Sequence, residues 1–174
     1  GGVGSASLRL ANGLTVGVLV AVNALGSVID PDTGRPWEIG LEKAGEFGDL
    51  GRRAVRLPPP LPAAPARNTT LGVVATDGKL TKSQARKIAQ MAHDGMARAI
   101  RPAHTMFDGD TIFCLGTGER ELPAAPGFFQ APQAQTISEL GDAAADCLAR
   151  AIIHAIFKAQ SLAGITAFQD LKAG

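Results

Sequence analysis

The stretch RNTTLGVVATD, residues 67–77, decides how the rest of the chain is read. The run TTLGVVATD, Thr69 to Asp77, reads as a strand buried on both faces, apolar and rich in β-branched residues. It follows a segment crowded by Pro58, Pro59, Pro60, Pro62 and Pro65. Repeated prolines deny both helix and central strand, so residues 30–67 read as an extended, mobile linker. Order returns at Asn68-Thr69-Thr70. A loop end accounts for that tripeptide, and it also has the form of an N-glycosylation sequon. A third reading is a chain that cuts itself between Asn68 and Thr69.

Working outward, "ASLRL" and "LTVGVLVAVNA" read as two strands joined at Asn12-Gly13, a hairpin signal. Val16, Val18, Val20 and Val22 occupy one face of the second strand and Leu19 and Ala21 the other, as in a sheet covered on both sides. Asn23 closes that strand as a polar residue. Thr81 or Ser83 caps a helix to about Ile100, with Ala85, Ile88, Ala92, Met96 and Ala99 as its apolar stripe. "DGDTIFCLGTG" reads as a fourth strand, Pro123 to Pro132 as a loop, and about Ile137 to Gln160 as a last helix. Strands covered by helices imply an α/β or α+β layered fold, with 1–174 part of a single domain.

Composition excludes several functions. Seventeen basic and sixteen acidic residues give a net charge of +1, too balanced for a nucleic-acid surface. Arg52, Arg53 and Arg56 read as a solvated loop. There is no run of ~18 apolar residues to span a membrane. Cys114 and Cys147 lack CxxC spacing and read as free thiols in a reducing, cytoplasmic compartment. His93, His104 and His154 lack metal-ligand spacing, and His104 reads as a loop residue. No metal or cofactor is expected. The opening "GGVGSAS" precedes no helix, which argues against phosphate binding. The chain begins without a methionine and reads as part of a longer protein.

The chemistry centres on Thr69. A threonine hydroxyl is a poor nucleophile until a base takes its proton, and a chain-terminal threonine carries its own base. Its α-amine has an ordinary pKa of ~7.7–8.0, so a useful fraction is neutral near pH 7. Cutting before Thr69 creates that amine. Asp108 and Asp110, at i and i+2 on a strand, would share a face with Cα atoms roughly 6.5–7 Å apart. Two such carboxylates need a cation or a shared proton between them, although Asp-Gly-Asp also fits a common turn. Gly109 leaves room for another group to approach. Asn23 offers an amide donor for an oxyanion, or simply a capped strand end.

Three motifs in order, "GGVGSASLRL", "NTTLGVVATD" and "RPAHTMFDGDTIFCLGTG", resemble the P1 (DmpA-type) peptidase family. It includes L-aminopeptidase/D-esterases, β-aminopeptidases and nylon-oligomer hydrolases. The resemblance covers this chain but only about the C-terminal half of a typical member. It implies a four-layer αββα sandwich of the N-terminal-nucleophile-hydrolase kind, incomplete here, and a homo-oligomer, often a tetramer. It further implies self-cleavage at Asn68–Thr69. Residues 1–68 would then end the larger subunit and 69–174 form the smaller one. By motif, Thr69 matches the nucleophile, Asn23 the oxyanion asparagine, and Asp108 and Asp110 the flanking pair. Threonine with Asp-Gly-Asp is more similar to the nylon-oligomer branch than to the small-peptide branch. The implied activity is hydrolysis of short aliphatic amides through an acyl-enzyme, with the substrate and the missing half as partners. An acyltransferase resembling ornithine acetyltransferase is the alternative, and a catalytically silent structural or binding fragment is another.

Overall fold

The computed structural model describes residues 1–58, 68–125 and 131–173. Its core is a four-stranded sheet in the order β1-β2-β3-β4: β1 is Gly2–Arg9, β2 Thr15–Val22, β3 Leu71–Gly78 and β4 Thr111–Arg120. β1/β2 and β2/β3 are antiparallel, and β3/β4 are parallel. Asn12 and Gly13 sit in the β1–β2 turn, where Gly13 takes φ 86° and the Asn12 side chain accepts from Leu14 N at 3.0 Å. The short helix α1 spans Gly48–Arg52. The parallel β3–β4 step is bridged by α2, Lys82–Ala99, as a parallel connection requires. The last helix, α3, is Ala134–Lys158.

Local chemistry explains the ends of α2. Thr81 Oγ1 accepts from Gln84 N while the Gln84 side chain accepts from Thr81 N, a capping box of the kind worth ~1 kcal/mol. Ile88, Ala92, Met96 and Ala99 point inward from this helix and are buried.

Helices α2 and α3 lie on one face of the sheet, where Val16, Val18, Val20, Val22 and Val74 are buried with Leu148 and Ile152 of α3. This face is built for close approach. A Cβ on Gly4 would stand 2.1 Å from the Ala151 carbonyl oxygen, and one on Gly2 2.3 Å from that of Ala155. The glycine-rich opening therefore lets α3 rest directly on β1. The same device joins the helices, since a Cβ on Gly95 would stand 2.0 Å from the Ala145 carbonyl oxygen.

The opposite face corrects the expectation of strands buried on both sides. Val3, Leu19, Leu71, Phe113 and Leu115 are 60%, 55%, 47%, 59% and 47% exposed. Alternating apolar residues indicate a second covering layer, and the described residues supply one. One helical layer on one sheet is half of a four-layer sandwich. Among the described residues no helix is long and apolar enough to cross a membrane.

The segment read as a linker is more ordered than its composition suggested. Ile39–Leu41 forms a 3-10 turn, α1 follows, and Phe47 and Val55 are buried against Ile153, Phe157 and Phe168. The reason is tertiary and ionic. The Glu46 carboxylate accepts from Arg150 Nε at 2.6 Å and Nη2 at 2.7 Å, and its Oε2 lies 3.1 Å from His154 Nε2. Arg150 also donates to Ser7 O at 3.1 Å, joining β1, α3 and the segment. Residues 59–67, which hold four of the five clustered prolines, lie outside the described residues, as does 126–130 of the expected Pro123–Pro132 loop.

Two outcomes check this packing. Alanine ordinarily gains ~1 kcal/mol over glycine inside a helix. Gly95→Ala should instead cost about 1–3 kcal/mol, because the Ala145 backbone cannot retreat without strain; a raised urea midpoint would contradict the close approach. Burial works to raise the Glu46 pKa, but hydrogen bonds from Arg150, His154 and the Lys43 amide outweigh it and hold it at about 2, below the ordinary 4.5. Its contribution is present above pH 4.5 and is lost as the pH falls from there towards 2, a difference of roughly 3 kcal/mol. Glu46→Gln should therefore flatten the dependence of stability on pH across that window, while an unchanged slope would show that the cluster contributes little.

Candidate active site at the Asn68–Thr69 peptide

The residues that lead into β3 are held from both sides. Thr69 N donates to the carbonyl oxygen of Asn23, just past the end of β2, at 2.9 Å. The Asn68 carbonyl oxygen accepts from Gly109 N at 2.9 Å and from the Thr69 hydroxyl at 2.6 Å. Both polar atoms of the Asn68–Thr69 peptide are thus engaged, and the hydroxyl that follows the bond lies against the carbonyl that precedes it. Gly109 is required here by space, since a Cβ would stand 2.8 Å from Thr69 Oγ1.

Asp108 and Asp110 are both near this peptide, just before β4, which begins at Thr111. Asp108 forms a parallel bridge with Asn68, and Gly109 N on Asn68 O and Thr111 N on Thr70 O carry that pairing into β4. Asp108 Oδ2 accepts from Thr105 N at 2.9 Å and Thr105 Oγ1 at 2.6 Å. Asp110 Oδ1 accepts from Thr70 N at 2.8 Å, and its Oδ2 faces His104. Separate partners, rather than one shared cation, settle the two carboxylates. The Thr105 hydroxyl holds the Asp108 carboxyl below its ordinary range; burial opposes it, and the Thr105 and Leu25 amides assist.

Asn23 is exposed rather than buried, and its main-chain carbonyl is what meets Thr69. Beside this peptide, Asn68 Nδ2 and Thr70 Oγ1 are buried without a hydrogen bond among the described residues.

Sequence reasoning missed three contributors. The Gly109 amide acts through the backbone, which composition does not report. Thr105 stands three residues before Asp108, a spacing suited to a local side-chain–backbone motif, and that signal was readable. His104 read as a loop residue, yet it donates to Asp110 through backbone N at 3.2 Å and places Nδ1 2.9 Å from the same oxygen. Among the described residues no group of three or more His, Cys, Asp or Glu is arranged to hold a metal ion. Cys114 and Cys147 are free, and burial pushes each thiol up to about 11, so neither is a ready nucleophile. The arrangement is suited to attack by an oxygen on a carbonyl carbon whose own oxygen is held by an amide donor.

The model of Peptidase family S58 matches residues 1–169. The chain is 47% identical over 189 aligned residues to an uncharacterized aminopeptidase of Mycobacterium tuberculosis, covering 100% of this chain and 53% of that protein. It is 29% identical to a 6-aminohexanoate-oligomer endohydrolase of a Kocuria species, covering 88% of this chain and 44% of that one. Among solved structures, a Burkholderia beta-aminopeptidase aligns with TM-score 0.55 at 26% identity, over 90% of this chain and 41% of that chain. The L-aminopeptidase D-Ala-esterase/amidase of Ochrobactrum anthropi, described as a variant of the Ntn hydrolase fold, aligns with TM-score 0.59 at 23% identity, over 98% and 44%. The chain spans about half the length of the curated relatives it matches. Motifs, sheet topology and family match agree: this chain belongs to Peptidase family S58.

Proposed function

We propose that the protein is a self-processing amide hydrolase whose nucleophile is Thr69, exposed by cleavage of the Asn68–Thr69 bond. The observation that carries this reading is the Thr69 hydroxyl, 2.6 Å from the Asn68 carbonyl oxygen, with Gly109 N on the same oxygen. Processing begins when Thr69 Oγ1 attacks the Asn68 carbonyl carbon and the Gly109 amide takes the developing charge. The C–N bond breaks, the nitrogen gains a proton and becomes the Thr69 α-amine, and Asn68 is left as an ester on Oγ1. Water hydrolyses that ester, releasing the Asn68 carboxylate and freeing the hydroxyl. Residues 1–68 and 69–174 then belong to separate subunits.

In turnover the Thr69 α-amine takes the hydroxyl proton as Oγ1 attacks the substrate carbonyl, then gives it to the leaving amine. Water hydrolyses the acyl-enzyme. The Asn23 side chain is assigned to the oxyanion, and its main-chain oxygen, already on Thr69 N, to the α-ammonium. Asp108 and Asp110 hold the surrounding backbone. The substrate is a short aliphatic amide, either the N-terminal residue of a peptide or a 6-aminohexanoate oligomer, which the family membership and the named relatives support. Assembly as a homo-oligomer, a tetramer, and completion of the pocket by sequence outside these residues belong to the same proposal.

The test is covalent capture. A slowly hydrolysed amino-acid ester, quenched during turnover, should leave its acyl mass on the peptide that starts at Thr69, and Thr69→Ala should abolish it. An acyl group on another residue, or none under turnover, would overturn the assignment. Because the α-amine is the base, kcat/KM should rise with pH through the range of an ordinary terminal amine, about 7.7–8.0 when unperturbed; a flat profile there would contradict that role. Gly109→Ala should slow self-cleavage about 10²-fold by displacing the hydroxyl, the penalty typical of a misplaced reacting group. Cleavage at the parent rate would show that the close approach is incidental.

A further inference from the structure

Asp110 is the carboxylate that touches the backbone of the nucleophile segment, and His104 controls it. The Asp110 side chain is 5% exposed. Its Oδ1 is committed to Thr70 N at 2.8 Å, while Oδ2 is met by both His104 N at 3.2 Å and His104 Nδ1 at 2.9 Å. One residue thus contacts one carboxylate oxygen twice and leaves the other aimed at β3. His104 makes these contacts from φ 56°, in the left-handed region that His, Asn and Asp visit more readily than other residues with a side chain. The ring is in turn fixed from α2, because His93 Nδ1 lies 3.2 Å from His104 Nε2 and the two rings meet edge-on at 4.8 Å.

The proton arrangement follows from the partners. Nδ1 of His104 faces the Asp110 carboxylate and carries a hydrogen towards it, while Nε2 pairs with His93 Nδ1, the tautomers setting which of those two nitrogens donates. Burial first, and then the neighbouring His104, hold the His93 pKa below its ordinary value, against Asp110 and Asp94. His93 therefore serves as a neutral buttress. The path runs from α2 through two imidazoles and a carboxylate to the amide immediately after Thr69.

We propose that His104, buttressed by His93, is a positioning residue for self-cleavage and for the hydrolysis that follows: it holds Asp110 against the Thr70 amide and so sets the place of Thr69. This rests on Thr69 being the nucleophile. A hydrogen bond to a charged acceptor is among the stronger ones. Its loss lets the carboxylate turn and the Thr69–Thr70 backbone shift.

The test uses the full-length gene product. Asparagine tolerates positive φ and can put an N–H where Nδ1 stands, whereas alanine and glutamine cannot replace that donor in place. His104→Ala and His104→Gln should slow self-cleavage about tenfold or more, with His104→Asn within about threefold of the parent; tenfold corresponds to one charge-assisted hydrogen bond of about 1.4 kcal/mol. A merely structural role would make all three alike. Amide hydrogen exchange at Thr70, measured in uncleavable Thr69→Ala protein, should accelerate about tenfold when His104→Ala is added and return with His104→Asn. Equal cleavage rates in the three variants, or Thr70 exchange indifferent to them, would overturn the proposal. If the parent itself is never cut, the nucleophile assignment falls, and Thr70 exchange alone then decides whether His104 positions this backbone.

Discussion

The peptide between Asn68 and Thr69 is gripped at both of its polar atoms, and the rest of the structure can be understood from that constraint. Its N–H reaches back to the carbonyl of Asn23 and its oxygen forward to the amide of Gly109. Those contacts come from opposite neighbours in the sheet, the end of β2 and the approach to β4. A peptide held in this way cannot rotate away from the hydroxyl beside it. Orientation of this kind lowers a barrier before any proton has moved.

Placing that peptide requires β2, β3 and β4 to keep register, and the helices enforce it. Bare glycines at Gly2 and Gly4 let α3 settle on β1, and Gly95 lets α2 meet α3 backbone to backbone. The ion cluster of Glu46, Arg150 and His154 then fastens the region before the candidate cut onto the helix that follows it. A break at Asn68–Thr69 leaves the β2–β3 ladder, which pairs Val16–Ala21 with Thr76–Leu71, untouched. The two pieces would stay together, and only the backbone around Thr69 would gain freedom.

Much of this was legible locally. TTLGVVATD announced a strand by its own residues, α2 announced its start through Thr81 or Ser83, and Asn68-Thr69 stood out at the junction of two compositions. What local pattern could not supply was the third dimension. Apolar residues on both faces of β2 called for two covering layers, and the described residues supply one, so Leu19 and Leu71 are open to solvent. Asp108 and Asp110 were read as neighbours on one face, but the i, i+2 spacing could not tell that Thr105 donates to one carboxylate and Thr70 and His104 to the other. Residues 30–58 lack periodicity, yet Phe47 and Val55 are buried, because the contact that anchors them reaches from Glu46 to Arg150, 104 residues away. His104 had no signal beyond proximity to the aspartates, since its role depends on a left-handed backbone and a partner on α2.

The central claim is that Thr69 cuts the bond before itself, and the measurement closest to it is an intact mass of the purified full-length protein with N-terminal sequencing of each product. The account predicts two pieces, one beginning at Thr69 and the other ending at Asn68 with a free carboxylate, and a single uncut chain for Thr69→Ala. An uncut parent after prolonged incubation at neutral pH, or a cut elsewhere that survives Thr69→Ala, would contradict it.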